Sequence, residues 1–329
     1  MGSVPTILMA HTMGEEPTIE QDVFAGLDAN LVTVPHLGAA EALAVMPEAA
    51  AVMVTTHPVG AELLGLLRRC QIVTRIGTGV DAIDSETAAA RGMWVTNVPD
   101  YSIDEVSSHA LALLMALQRN LRGHVAAARA GDWRYQSVSP IRRLSELTLG
   151  ILGIGRIGGA MARKGAGIGL RVIAHDPYLC EDRIREAGAE PVDFDTLLRA
   201  SDYLSLHVPL TPQTRGLINT EALAKMKPTA YVVNTARGEV IDIPALVAAV
   251  QSGKLAGAGI DVLPTEPPDA DDPILHEPGI LVTPHVAWAS EQAKVDVRRR
   301  GAEDVLRVLR GERPRYPVNE PAVVAAAGD

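Results

Sequence analysis

Cysteine is scarce. The 329-residue chain carries Cys70 and Cys180, far apart and without metal-ligand spacing, so no disulfide framework or metal site is expected and a reduced, cytoplasmic setting is. Basic residues are also in deficit: 30 Lys and Arg against 40 Asp and Glu leave a net charge of −10. That balance argues against nucleic acid or an anionic membrane as the main partner, though not against a small anion in a local basic pocket. The N-terminal MGSVPTILMAHTMGEEP lacks a basic stretch and holds only a short apolar run, so no signal peptide is expected. No window approaches the roughly 20 apolar residues of a membrane span. Internal repeats and low-complexity tracts are missing too. What is present is a composition 47% hydrophobic and 21% charged, over a length that suits two domains with sizeable cores.

Short apolar runs recur in the first hundred residues, at Thr6–Ala10, Asn30–Val34, Ala51–Thr55, Gln71–Ile76 and Met93–Val98. Segments with helical spacing, such as Ala61–Arg69 and Asp84–Arg91, lie between them, which predicts a parallel sheet with right-handed crossovers. A long helix is predicted over Ile103–Arg122, with Asp104 and Glu105 in its first turn and Gly123 after its last. His124–Glu146, with Trp133, Tyr135 and several arginines, has weak periodicity; it reads equally as an arm against another subunit or as a surface excursion. From Thr148 the alternation returns. Strands are expected at Thr148–Leu152, Arg171–His175, Tyr203–His207, Ala230–Asn234, Gly257–Asp261 and Ile280–Thr283, punctuated by Pro209, Pro228, Pro244 and Pro284. A last helix over Ser290–Arg310 leads into a tail that can return to the first domain.

At the head of this second alternation stands GILGIGRIG. Gly153 permits the tight turn after the strand, Gly155 the close approach of a pyrophosphate, and Gly158 close packing of helix on strand; Arg156 and Ile157 lie between them. Phosphates would rest on the helix N-terminus, where free N–H groups and the dipole favour negative charge. Asp176 ends the next strand, 18 residues beyond Gly158, placed to accept from ribose hydroxyls. That favours NAD(H), with NADP(H) less favoured, although Arg156 and His175 leave room for it.

Three polar residues follow later strands of the same set. Arg237 comes after VVNTA, Glu266 after DVLPT and His285 after LVTP. In open α/β sheets the carboxyl ends of strands are where ligands bind. An imidazolium at 285 would protonate a carbonyl oxygen, Glu266 would hold and charge it, and Arg237 would clamp a carboxylate in bidentate fashion.

The stretches RIGTGVDAID, VTNVPDYSIDEVSSHALALLMAL, GILGIGRIG, HDPY, SLHVPLTPQTRGLIN, MKPTAYVVNTARGEVID, GAGIDVLPTEPP and LVTPHVAW resemble the D-isomer-specific 2-hydroxyacid dehydrogenases along essentially the whole chain. The resemblance implies an α/β protein of two domains. A doubly wound Rossmann dinucleotide-binding domain (101–289) would be inserted into a smaller flavodoxin-like substrate-binding domain (1–100 and 290–329). It also implies an active site in the cleft between domains, a homodimer, a small 2-keto or 2-hydroxy acid as partner, and Arg237, Glu266 and His285 as the catalytic set. By the same carry-over His207, Pro209, Thr214, Thr235, Ala236 and Asp261 line the cofactor site. RIGTG and TPHVAW look closest to the branch containing the C-terminal-binding protein corepressors and their bacterial enzyme relatives. In that branch Arg75 and Trp288 face the substrate, and a nest of N–H groups over Gly77, Thr78, Gly79 and Val80 holds its carboxylate; Tyr101 is placed nearby. An NAD(H)-sensing interaction protein is therefore the alternative to an enzyme. The substrate stays open: Arg75, with Arg142 or Arg143, suits a phosphate or phosphonate, whereas Trp288 suits an apolar side chain. One departure is Ser107 and Ser108, where relatives often carry Ala and an acidic residue.

Overall fold

Ala49–Val54 is apolar and buried at every position, so it cannot alternate faces and must lie centrally, covered on both sides. The computed structural model describes residues 4–10, 15–134, 136 and 141–322. It divides the chain into two compact units, Met1–Tyr101 with Ser290–Asp329, and Ser102–Ala289.

The first unit runs β1 (Thr6–Ala10), α1 (Thr18–Phe24), β2 (Asn30–Thr33), α2 (Ala40–Val45), β3 (Ala49–Val54), α3 (Ala61–Leu66), β4 (Ile72–Arg75), α4 (Ser85–Ala90) and β5 (Trp94–Thr96). Its parallel sheet has the order β2-β1-β3-β4-β5, the flavodoxin-like arrangement. Leu8, Val52 and Val73 help build one face's core with Leu64 and Ala88. Ile7, Met53 and Ile72 pack on the other face against Phe24, Val297 and Val305. The tail after the final helix pairs with β5, where the Val318 N–H donates to Val95 O at 2.8 Å and Asn319 Oδ1 accepts from the Val95 N–H at 2.7 Å. That covers an otherwise open sheet edge.

The second unit continues with α5 (Ile103–Gln118), α6 (Leu121–Arg129), β6 (Thr148–Leu152), α7 (Arg156–Gly167), β7 (Arg171–His175), α8 (Glu181–Glu186), β8 (Glu190–Pro191) and α9 (Phe194–Ala200). It ends with β9 (Tyr203–Leu206), α10 (Thr220–Lys225), β10 (Tyr231–Asn234), α11 (Ile243–Gln251), β11 (Gly257–Ile260), α12 (Pro273–His276) and β12 (Ile280–Val282), before α13 (Glu291–Leu309) rejoins the first unit. The strands, all parallel, form a seven-stranded sheet of order β12-β11-β10-β9-β6-β7-β8, doubly wound about β6 and β9. Helix starts follow side-chain capping: Asp193, Asn219, Asp242 and Ser290 each accept from backbone N–H groups of the first turn.

Two sequence expectations need correction. The helix predicted over Ile103–Arg122 is two helices. Asn120 breaks it at φ 42°, and its Oδ1 then accepts from the Gly123 N–H at 3.2 Å, starting α6. Gly123 therefore lies inside a helix rather than after one; the αL tolerance of Asn, not the glycine, marks the break. The start of the weakly periodic His124–Glu146 segment is thus helical, while Tyr135 falls outside the described residues. The second miss is β8, a two-residue edge strand containing Pro191 and too short to show a period.

Candidate active site

The sheet of the second unit turns its carboxyl edge into a row of polar loops. After β6, Gly153 adopts φ 85°, where any Cβ would meet Val208 Cγ1 at 2.8 Å and the His207 carbonyl at 3.0 Å. A Cβ on Gly158 would stand 2.0 Å from Gly153 O, so glycine there lets α7 press onto the strand. Gly155 differs: nothing lies within 4 Å of its would-be Cβ, and with Arg156 it is exposed at the start of α7. Open space beside a helix N-terminus of 12 residues is what a pyrophosphate needs. Asp176, just past β7, accepts from the Ile154 N–H and the Tyr178 N–H, both at 3.0 Å. These two bonds orient the carboxylate beside the cradle.

His207 follows β9, with its Nε2 at 2.9 Å from Ser205 Oγ. Burial disfavours the imidazolium and lowers its pKa to about 4. Thr214 donates to Pro209 O at 2.6 Å and closes the turn beyond it. After β10, Thr235 is buried, and its Oγ1 has no hydrogen-bond partner among the described residues. A buried orphan hydroxyl at a strand end is fitted by a ligand group. Together with the open Gly155 and the oriented Asp176, it makes the residues present fit a dinucleotide.

The turn carrying Arg237 is shaped by fully buried Asn234. Its Oδ1 accepts from the Ala236 N–H at 2.9 Å and its Nδ2 donates to Arg237 O at 2.8 Å. Arg237 Nη1 in turn donates to Ala236 O at 2.8 Å. Glu266 lies in the loop after β11, its Oε1 accepting from the Leu263 N–H at 2.8 Å and its Oε2 2.6 Å from His285 Nδ1. Burial alone would raise the Glu266 pKa; the bonds from His285 and Leu263 and the nearby His285 and Arg237 charges outweigh it and hold the carboxyl below 4.5. His285 itself sits at φ 52° after β12, in backbone that side chains rarely adopt. Asp261, named from sequence as a cofactor contact, directs both carboxylate oxygens at the loop bearing His285: Oδ1 accepts from Thr283 Oγ1 and Val286 N–H, Oδ2 from Ala287 N–H. Trp288, three residues after His285, is half-buried.

In the first unit, Arg75 ends β4 and donates to Ile76 O at 2.7 Å. Gly77 takes φ 154°, and a Cβ there would collide with Arg75 Nη1. Asn97 Nδ2 donates to Thr78 O at 2.5 Å. Among the described residues nothing accepts from the N–H groups of Thr78, Gly79 and Val80. A run of backbone donors without acceptors is the feature that an anion-binding nest requires. Tyr101 packs against the apolar cluster that includes Ile76 and Val98.

Two groups do other work than the sequence suggested. Arg142 Nη1 pairs with buried Asp202 at 2.7 Å, whereas Arg143 makes only an exposed 3.8 Å contact with Glu146. Ser107 and Ser108 accept from Lys164 Nζ at 2.9 and 2.6 Å, joining α5 to α7. Sequence reasoning missed Asn234, Ser205, Thr283 and His109. Each is a polar residue within an otherwise apolar run or beside a motif residue, and none carries a spacing of its own.

Residues 111–287 match the family model described as the D-isomer specific 2-hydroxyacid dehydrogenase, NAD binding domain. The chain belongs to the D-isomer specific 2-hydroxyacid dehydrogenase family. It is 41% identical over 271 residues to a D-3-phosphoglycerate dehydrogenase of Mycobacterium leprae, covering 82% of this chain and 51% of that one. It is 39% identical over 278 residues to a glyoxylate reductase of Korarchaeum cryptofilum, covering 83% of each. The fold matches the D-lactate dehydrogenase of Aquifex aeolicus, solved with NAD and lactic acid, at TM-score 0.88 and 28% identity over 96% of this chain and all of that one. The chain spans 51–60% of the length of the D-3-phosphoglycerate dehydrogenases of Mycobacterium leprae and Archaeoglobus fulgidus. The matched NAD-binding domain falls within the second unit. No described helix is long and apolar enough to cross a membrane.

Proposed function

We propose that this protein interconverts a small 2-keto acid and its D-2-hydroxy acid with NAD(H). The observation that carries the reading is the His285–Glu266 contact of 2.6 Å, beside Arg237 at the carboxyl ends of the second unit's strands. Bound nicotinamide supplies the hydride for reduction or takes it up in oxidation. His285 has Nδ1 engaged by Glu266, so Nε2 is the atom that delivers a proton to the carbonyl oxygen and removes it in the reverse direction. Glu266, held below 4.5, stays charged and stabilises the imidazolium. Arg237 clamps the carboxylate next to the reacting carbon.

Relatives named for phosphoglycerate, glyoxylate and lactate leave the side chain of the acid to these residues. Arg75 is the guanidinium proposed for a phosphate or phosphonate, and Trp288 the surface proposed for an apolar group. A second copy of this chain is the proposed protein partner. Exposed Leu121 and Val125 of α6, with Trp133, which is 86% exposed, support that reading. The free thiols of Cys70 and Cys180 suit a reducing compartment such as the cytoplasm.

The test is NADH oxidation against a panel of phosphorylated and unphosphorylated 2-keto acids. His285→Ala is expected to lower kcat by about 10²–10⁴-fold on the best substrate, with NADH binding retained. Turnover that survives this substitution would sink the assigned mechanism.

A further inference from the structure

A non-glycine residue at φ 52° is strained and persists only where its surroundings hold it. His285 is held mainly by one residue. Its own N–H donates to Asp261 O at 2.8 Å and is shared with Thr283 O at 3.0 Å, while the next two amides, Val286 and Ala287, donate to Asp261 Oδ1 and Oδ2 at 3.0 and 2.9 Å. Asp261 is 2% exposed, so the bend depends on where that carboxylate stands.

The carboxylate is held in turn by the first residue of the loop, which a residue outside the loop contacts. Thr283 Oγ1 donates to Asp261 Oδ1 at 2.6 Å. A hydroxyl has one proton, and this bond uses it. The 3.0 Å contact between Thr283 Oγ1 and His109 Nε2 must therefore run from an Nε2–H of His109 into the hydroxyl oxygen. The same Nε2 lies 3.5 Å from Asp261 Oδ1. His109 belongs to α5, which lies close on β11: a Cβ on Gly259 would be only 3.0 Å from Leu113 Cβ. The helix is thus a firm reference, and His109 ties the Thr283–Asp261 pair to it.

We infer that His109 is a positioning residue, which through Thr283 and Asp261 holds the strained backbone that presents His285. The inference rests on the role proposed above for His285. His109 does not exchange a proton with the substrate; it keeps the proton donor in place. Removing its N–H leaves the Thr283 hydroxyl and Asp261 without their tie to α5, and the Thr283–Trp288 loop gains alternative conformations. Displacement of a reacting group by about 1 Å costs on the order of 10²-fold in rate.

The test compares wild type, His109→Ala and His109→Gln, whose side-chain amide restores an N–H donor. Amide hydrogen exchange is followed in the peptide covering residues 283–289, with the β6 peptide as the reference for intact folding. His109→Ala is expected to speed exchange at 283–289 alone and to lower kcat by about 10- to 100-fold, with KM for NADH and for the keto acid within about twofold. His109→Gln is expected to recover most of both. Unchanged exchange at 283–289 in His109→Ala overturns the inference whatever the assay shows. Faster exchange with unchanged kcat, or no recovery by Gln, overturns it too. Turnover indifferent to His285→Ala would instead overturn the proposed reaction, with the exchange result still judging His109.

Discussion

Four histidines of the second unit show how placement divides one residue type into different jobs. His285 is aimed by Glu266, His109 supports the loop, and His175 Nδ1 lies 3.0 Å from Val192 O. His207 is held by burial at about 4 instead of 6.5, which keeps it neutral where the reaction would run. Between those values the unfolded chain binds a proton that the folded chain does not, so this group makes the fold less stable as pH falls from 6.5 towards 4. Glu266 acts in the same direction: its lowered pKa adds stability above 4.5 that is lost as pH falls through the folded value. His207→Asn is therefore expected to leave the shape of the kcat–pH profile between about 5 and 9 unchanged. A limb that vanishes in the variant would show that His207 titrates in that range.

Among the elements, the β6–α7 turn separates two meanings of glycine that a motif treats alike. Gly158 is needed for packing and Gly155 for space. Gly158→Ala drives a methyl towards Gly153 O, so α7 must shift; a loss of about 1–3 kcal/mol in urea unfolding is expected. Gly155→Ala meets nothing within 4 Å, so its unfolding midpoint should stay close to wild type while NADH affinity in a fluorescence titration drops. Equal stability losses in the two variants would contradict this division. The same scale shows where pattern reading works and where it breaks. The central strands were legible because burial on both faces leaves a continuous apolar run. The end of α5 was not, because Asn120 stops one helix and caps the next, while Gly123 supplied a more familiar but irrelevant stop signal.

For the molecule as a whole, the chain crosses from one unit to the other after Tyr101 and returns at Ser290. What secures the returning helix α13 is charge in a dry place. Arg298, 1% exposed, donates to Glu20, itself 0% exposed, through Nε and Nη2 at 2.9 and 2.7 Å. Nη1 reaches Glu15 at 2.7 Å and Nη2 also reaches Glu16 O at 2.8 Å. Truncating one partner leaves the other charge buried and unmatched. Arg298→Ala is expected to lower stability by about 3–5 kcal/mol, read from urea unfolding. A change below about 1 kcal/mol would mean that water or another cation reaches Glu20 at little cost.

Local pattern alone was enough to read the α/β alternation, the glycine-rich turn between β6 and α7, an acidic residue just past β7 and the polar residues Arg237, Glu266 and His285 after later strands. Each of these is written in local period or in spacing from a motif, and local backbone preferences suffice to read it. Only the tertiary structure decided what the remaining polar groups do. Arg142 turned out to be bound to Asp202, Lys164 to Ser107 and Ser108, and Asp261 to the loop of His285, because these partners are joined by packing across 60, 57 and 26 residues of chain. A hydrogen bond selects its partner by distance and direction in space. Separation along the chain carries no record of either.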